Sequence, residues 1–294
     1  MSLRATSRFA ALSPRRRALV IVLALVATAL LVAGGVRVAQ RLAGTPSGRH
    51  SSGPAAVLLV PGYGGSTRSL DLLAARIRRT GASATIVSLP SGGKGDLEVQ
   101  AGVLNGYVNR AIRGGARSVD VVGYSAGGVV ARVWDVEHDG ASKARRIVTF
   151  GSPLHGAELA AAGAVVDPAA CPAACQELVP GSSLLTRLDG IPFTGRPAWL
   201  SLWTVDDMVV QPPDSARLAG AVNVSLQSVC PGAVIQHGQL PTNPLVVGIV
   251  LRALGSAPLT APSASDCSSL RALGRAAARP LTGAGAHSRS RATS

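Results

Sequence analysis

From residue 55 onward the chain alternates short apolar runs with segments of helical spacing, and Gly/Pro clusters punctuate the two. Ala55 to Val60 reads as a buried strand, followed by the turn Pro61-Gly62-Tyr63-Gly64-Gly65. Further strands are predicted over 84–89, 118–123, 146–150, 198–205 and 221–226. Their Val/Ile/Leu content is nearly continuous, the signature of strands covered on both faces. Between them the spacing predicts helices. One covers 70–80 with Leu72, Leu73 and Ile77 inward, and one covers 96–112 with Val99, Val103, Leu104, Tyr107, Val108 and Ile112 inward. A third runs over 126–138, and an apolar helix closes the pattern over 244–254. Strand–helix alternation of this kind implies an α/β fold, a mostly parallel sheet between helical layers. Pro153 to Pro197 shows no regular period, which makes it the place for a small cap or substrate-pocket insertion.

Charge looks at first like a nucleic-acid signal, because the 294-residue chain carries a net +14. Its location removes that reading. Residues 1–54 hold eight arginines and no acid, and residues 256–294 hold five arginines against the single Asp266. The middle is nearly neutral, with 16 basic and 14 acidic residues. Nucleic-acid binding would place a basic stripe on the fold itself, with interleaved aromatics, and the chain has only three each of Trp, Tyr and Phe. The organisation is therefore an N-terminal segment and linker over 1–54, one compact domain over 55–255, and a basic low-complexity tail over 256–294.

Arg15, Arg16 and Arg17 precede an uncharged apolar run from Ala18 to Val36, which Arg37 ends. This is an export signal. At about 1.5 Å per residue the run spans about 28 Å, close to the hydrocarbon thickness of a bilayer. It reads as an uncleaved anchor with the Arg-rich end cytoplasmic, and as a cleaved signal in the alternative, since Ala27-Thr28-Ala29 offers a small-x-small site. The expectation is an exported protein, held at the outer face of the membrane or secreted. Four cysteines fit an oxidising compartment. Of the three connectivities four cysteines allow, Cys171–Cys175 with Cys230–Cys267 is the one expected, the second stapling the tail to the body. A metal site is the other use for them, with His155 or His237 assisting, but no known zinc-ligand spacing occurs.

The chemistry concentrates at Gly123-Tyr124-Ser125-Ala126-Gly127, a G-x-S-x-G pattern with a strand before it and a helix behind. That context is what gives the pattern meaning, because the tight strand–turn–helix pushes the serine out above the sheet edge. A β-carbon at either flanking glycine would strike the neighbouring strand or helix. A serine nucleophile needs a base. His50 and His287 lie in the flanks, and His138 sits about 20 Å down the helix from Ser125. In sheets with such an elbow the order is serine, acid, histidine, which admits His237 and not His155. The acid belongs at the end of the strand before the last, where Trp203-Thr204-Val205 leads into Asp206-Asp207. Neighbouring side chains on an extended segment point opposite ways, so one carboxylate faces His237 and the other caps the turn or binds backbone amides. Spacing does not choose between them.

Taken together, these residues resemble the secreted triacylglycerol lipase/esterase family of bacilli and actinomycetes, small lipases of the α/β-hydrolase fold, over roughly 55–254. In that family a His-Gly-x-Gly-Gly-like loop follows the first core strand, matched here by Pro61 to Gly65. The match implies an oxyanion hole from the backbone N–H groups of Tyr63 and Ala126. The family's Asp-Met-(Ile/Val)-Val segment is matched by Asp207-Met208-Val209-Val210, which implies Asp207 as the acid. His237-Gly238-Gln239-Leu240 resembles the family's histidine segment, and Phe150 to Gly156 its Gly-(Ser/Thr)-Pro-x-x-Gly loop. Pro61 departs from the usual histidine and puts the rigidity of that loop in doubt, though not its backbone donors. What the resemblance implies is a cofactor-free hydrolase of lipid or acyl esters with a Ser125–His237–Asp207 triad, monomeric, with no nucleic-acid partner. An envelope acyltransferase or thioesterase using the same triad, and a non-catalytic envelope protein on the same scaffold, are the alternatives.

Overall fold

In the computed structural model, residues 55–193 and 196–277 are described. The N-terminal run from Ala18 to Val36 lies outside them, as does the chain end beyond 277. Six strands form one parallel sheet: β1 (Ala56–Val60), β2 (Ser83–Ile86), β3 (Val119–Tyr124), β4 (Ala144–Phe150), β5 (Ala198–Trp203) and β6 (Val222–Ser225), in the spatial order β2-β1-β3-β4-β5-β6. Side chains of a strand alternate between faces, and the two cores divide accordingly. Val57 and Leu59 point into one; Leu58 and Val60 point into the other.

The second of these cores is covered by α2 (Leu97–Arg113) and α3 (Ala126–Glu137). The first is covered by α1 (Arg68–Arg78), the closing helix Pro244–Leu254 and a C-terminal helix, Cys267–Ala276. Helix α1 buries Leu70, Leu73, Ala74 and Ile77, the i, i+3, i+4, i+7 set. Leu72 is off that stripe and half exposed, contrary to the sequence reading, and Val99 at the start of α2 is likewise outward because Leu97, Ala101, Leu104 and Val108 own the buried face.

The unpatterned stretch after β4 holds three short helices: α4 (Glu158–Val166), α5 (Ala173–Glu177) and α6 (Ser183–Asp189). The closing helix is then α7 and Cys267–Ala276 is α8. The described part of the region taken from composition as a tail therefore belongs to the fold. Helix α8 lies along α7, where β-carbons at Gly248 and Gly274 would run into the facing backbone. Leu270 is buried between them, and the Cys230–Cys267 disulfide ties α8 to the turn after β6. Its sequence separation of 37 corresponds to about 4 kcal/mol in the loop-entropy description. Cys171 and Cys175 are bonded to each other across the start of α5.

One buried group has a measurable consequence for stability. Asp135, on α3, lines a cavity of about 400 Å³. Its Oδ2 pairs with Arg196 at 3.1 Å, and its buried Oδ1 has no hydrogen-bond partner among the described residues. Burial raises its pKa from 3.8 to about 6, with the Arg196 guanidinium opposing. The native state thus holds this proton more tightly than the unfolded chain does. The associated stability is full below about pH 4 and is lost as pH rises through about 6. Asp135→Asn, which cannot ionise, should gain on the parent by up to about 3 kcal/mol between pH 4 and 8. Melting curves of both proteins across that range check this; a pH-independent difference would contradict it.

Candidate active site

The order of strands reverses between β1 and β3, so the loops leaving their C-terminal ends part and open a crevice, the usual place for a site in such a sheet. The loop 61–65 leaves β1 there, and Ser125 caps β3. Ser125 has φ 54 and ψ −130, a conformation costly for a residue with a β-carbon. The turn holds it: the Ser125 N–H donates to the Phe150 carbonyl at 3.1 Å, and the Gly128 N–H to the Ser125 carbonyl at 2.9 Å. Tightness explains the flanking glycines. A β-carbon at Gly123 would lie 2.6 Å from the Gly128 Cα, and one at Gly127 would overlap the carbonyl oxygens of Val60 and Pro61.

His237 begins a helical turn, His237–Gln239, closed by a reciprocal bond pair between Gln236 and Gln239. Its Nε2 lies 3.1 Å from the Ser125 Oγ and its Nδ1 lies 2.7 Å from the Asp207 Oδ2. Asp207 is buried, and its Oδ1 accepts the N–H groups of Val209 and Val210, each at 2.9 Å. Asp206 faces the other way: its Oδ2 accepts from the Ile235 N–H and from Gln227 Nε2, both at 3.0 Å. The remaining histidines stand apart. His155 contacts Asp189 through Nδ1 and the Arg217 carbonyl through Nε2, each at 2.9 Å, while His138 ends α3.

Tyr63 follows β1 beside the elbow, 42 % exposed, with the Lys94 ammonium 6.0 Å from its ring centroid. Among the described residues no protein acceptor takes the backbone N–H of Tyr63 or of Ala126, so both are free to meet a ligand. Ala126 is also the first residue of α3, where the helix dipole favours negative charge. No group of three His, Cys, Asp or Glu among the described residues could hold a metal ion.

Two residues of this neighbourhood carry no sequence signal. Tyr124 fills the variable position of the motif. Its ring lies 5.3 Å from Phe150 and 5.2 Å from His237, and its hydroxyl donates to the His237 carbonyl at 3.2 Å. Burial, aided by the Asp207 carboxylate, pushes that phenol up to about 12, so it remains a neutral donor. Gln227 is the other, a single amide on the turn after β6.

The sequence matches no family model and no curated protein. Solved structures are similar in fold. Lipase B of Aspergillus fumigatus superposes with a TM-score of 0.56 at 17 % identity, over 80 % of this chain and 65 % of that one. Bacillus licheniformis lipase BlEst2 in its propeptide form gives 0.59 at 18 %, over 71 % and 52 %. Its mature form gives 0.52 at 20 %, over 62 % and 86 %. The fold is that of the α/β-hydrolases. At these identities the likeness carries the fold alone, and the chain spans less than two thirds of the fungal lipase. Ser125 directly follows β3, while Asp207 lies on the loop after β5 and His237 on the loop after β6.

Proposed function

We propose that the chain is a serine carboxylester hydrolase acting on lipid or fatty-acyl esters, in the manner of the small secreted bacterial lipases its motifs resemble. The observation that carries the proposal is the continuous line from Ser125 Oγ through the His237 ring to Asp207, at 3.1 and 2.7 Å. Hydrogen-bond reach between nucleophile, base and orienting acid is the geometric requirement for this chemistry.

Ser125 Oγ attacks the ester carbonyl while His237 Nε2 takes its proton. The carbonyl oxygen becomes an oxyanion that the N–H groups of Tyr63 and Ala126 receive, and such a donor is worth about 3 kcal/mol of barrier. Asp207 steadies the imidazolium. His237 then returns the proton to the departing alcohol, leaving an acyl-Ser125. Water, deprotonated by His237, attacks that ester; the carboxylic acid departs and Ser125 regains its proton.

Exposed apolar side chains on the surrounding loops, Tyr63, Val205, Met208, Val209 and Val234, suit an acyl or lipid substrate better than a charged one. Two disulfides suit an oxidising compartment and an exported protein. Purified protein should hydrolyse p-nitrophenyl esters, and a fluorophosphonate should inactivate it by modifying Ser125, located by peptide mass. Absence of both turnover and labelling would sink the proposal.

A further inference from the structure

Two loops that bear the proposed triad are joined by side chains outside it. Gln227, on the turn Leu226–Val229 after β6, reaches across to the loop after β5. Its Oε1 accepts the Val205 N–H at 3.1 Å. Its Nε2 faces Thr204 Oγ1 at 2.9 Å, Asp206 Oδ2 at 3.0 Å and the Ala233 carbonyl at 3.0 Å. The amide cannot be turned over, because only its oxygen can meet the Val205 N–H, which leaves the NH2 for three acceptors. Asp206 Oδ2 in turn accepts the Ile235 N–H at 3.0 Å. The backbone just before Asp207 and the backbone just before His237 therefore close on the same amide–carboxylate pair.

Other bonds in the neighbourhood do not join these two loops. The Val209 and Val210 N–H groups fix the Asp207 carboxylate to its own turn, and Tyr124 holds the histidine loop to the elbow. Among the described residues, only this network and the Asp207–His237 contact itself join 204–211 to 226–240 through side-chain hydrogen bonds. Resting on the hydrolase reading above, we propose that Asp206 and Gln227 are positioning residues, a clamp that sets the carboxylate of Asp207 against the imidazole of His237 across 30 residues of chain. Asp206, the other aspartate of the Asp-Asp pair, thereby has a task in the same reaction, without touching the reacting atoms.

The test is steady-state kinetics of the full chain on a p-nitrophenyl ester, taken below the lowest melting temperature among the variants. Asp206→Ala and Gln227→Met should each lower kcat about 10- to 100-fold through misplacement of the base, with KM held within about threefold because substrate binding is untouched. The double variant should fall no lower than the worse single one, as partners in one network do. Asp206→Asn keeps an oxygen that accepts both N–H bonds and should rescue kcat to within about threefold of the parent. Should Gln227→Met not fold, the contrast of Asp206→Ala with Asp206→Asn carries the same comparison. Parent-like kcat in the single variants, losses confined to KM, or losses that multiply in the double variant would overturn the clamp. A parent without esterase activity, or activity that survives Ser125→Ala, would overturn the hydrolase reading and the clamp with it.

Discussion

Ser125→Ala is expected to lower kcat for ester hydrolysis by about 10⁵- to 10⁶-fold and to leave the melting temperature nearly unchanged. The first half follows from covalent chemistry: without Oγ no acyl-enzyme forms, and the free N–H groups of Tyr63 and Ala126 can do no more than polarise a bound carbonyl. The second half follows from the geometry of the turn. The side chain's one hydrogen bond in the structure is to His237, so the methyl group that remains leaves no buried donor without a partner. Alanine also inherits the strained φ of 54, so the backbone cost is the same in both proteins. Ser125→Gly is the companion measurement. Glycine adopts positive φ freely, and releasing the strain should stabilise it over the alanine variant by about 1 kcal/mol. Turnover in Ser125→Ala near the parent level would place the nucleophile elsewhere, and a less stable glycine variant would show that the elbow is not strained.

The central strands were legible because they are buried on both faces, which makes β1 an unbroken apolar run and leaves Asp120 as the one charge in β3, and the elbow because its glycines answer to overlaps that any β-carbon would suffer. Face assignment was harder. Leu72 and Leu73 are adjacent, and it is Leu70 and Ile77, three before and four after Leu73, that show which of them lies on the buried stripe. Helix α8 was invisible for a different reason. Its buried face consists of Leu270 and Gly274, and the Ser/Ala/Arg-rich composition around it reads as low complexity. Helix α4 has no buried residue at all, so its composition is apolar without being amphipathic. At the site, chain order separates His237 from His155, since His155 engages Asp189 and the Arg217 carbonyl. Order could not separate Asp206 from Asp207, since both follow the same strand. The turn that does, with the Asp207 N–H donating to the Thr204 carbonyl at 3.3 Å, exists only in three dimensions. Gln227 belongs to no pattern, because its partners lie at 204–206 and at Ala233, two stretches with no fixed spacing to it.

Asp207→Asn should cost about 10⁴-fold in kcat, and Asp206→Asn no more than about threefold, although the two residues are neighbours and the change is the same. The reason lies in what each carboxylate faces. Asp207 Oδ1 accepts two backbone N–H groups and Oδ2 meets His237 Nδ1. An asparagine there must keep its oxygen toward Val209 and Val210, since its NH2 cannot accept from them, and so it turns its NH2 toward the imidazole. Nδ1 then becomes the acceptor, the ring proton moves to Nε2, and that proton points at the Ser125 hydroxyl it was meant to receive from. Geometry survives while the tautomer is wrong. Asp206 faces only donors, Ile235 N–H and Gln227 Nε2, on one oxygen, and an amide oxygen serves them as well. Rates and melting curves of the two asparagine variants decide the matter. Equal losses would mean that charge near the histidine matters more than its tautomer, and a larger loss at 206 would exchange the roles of the two aspartates.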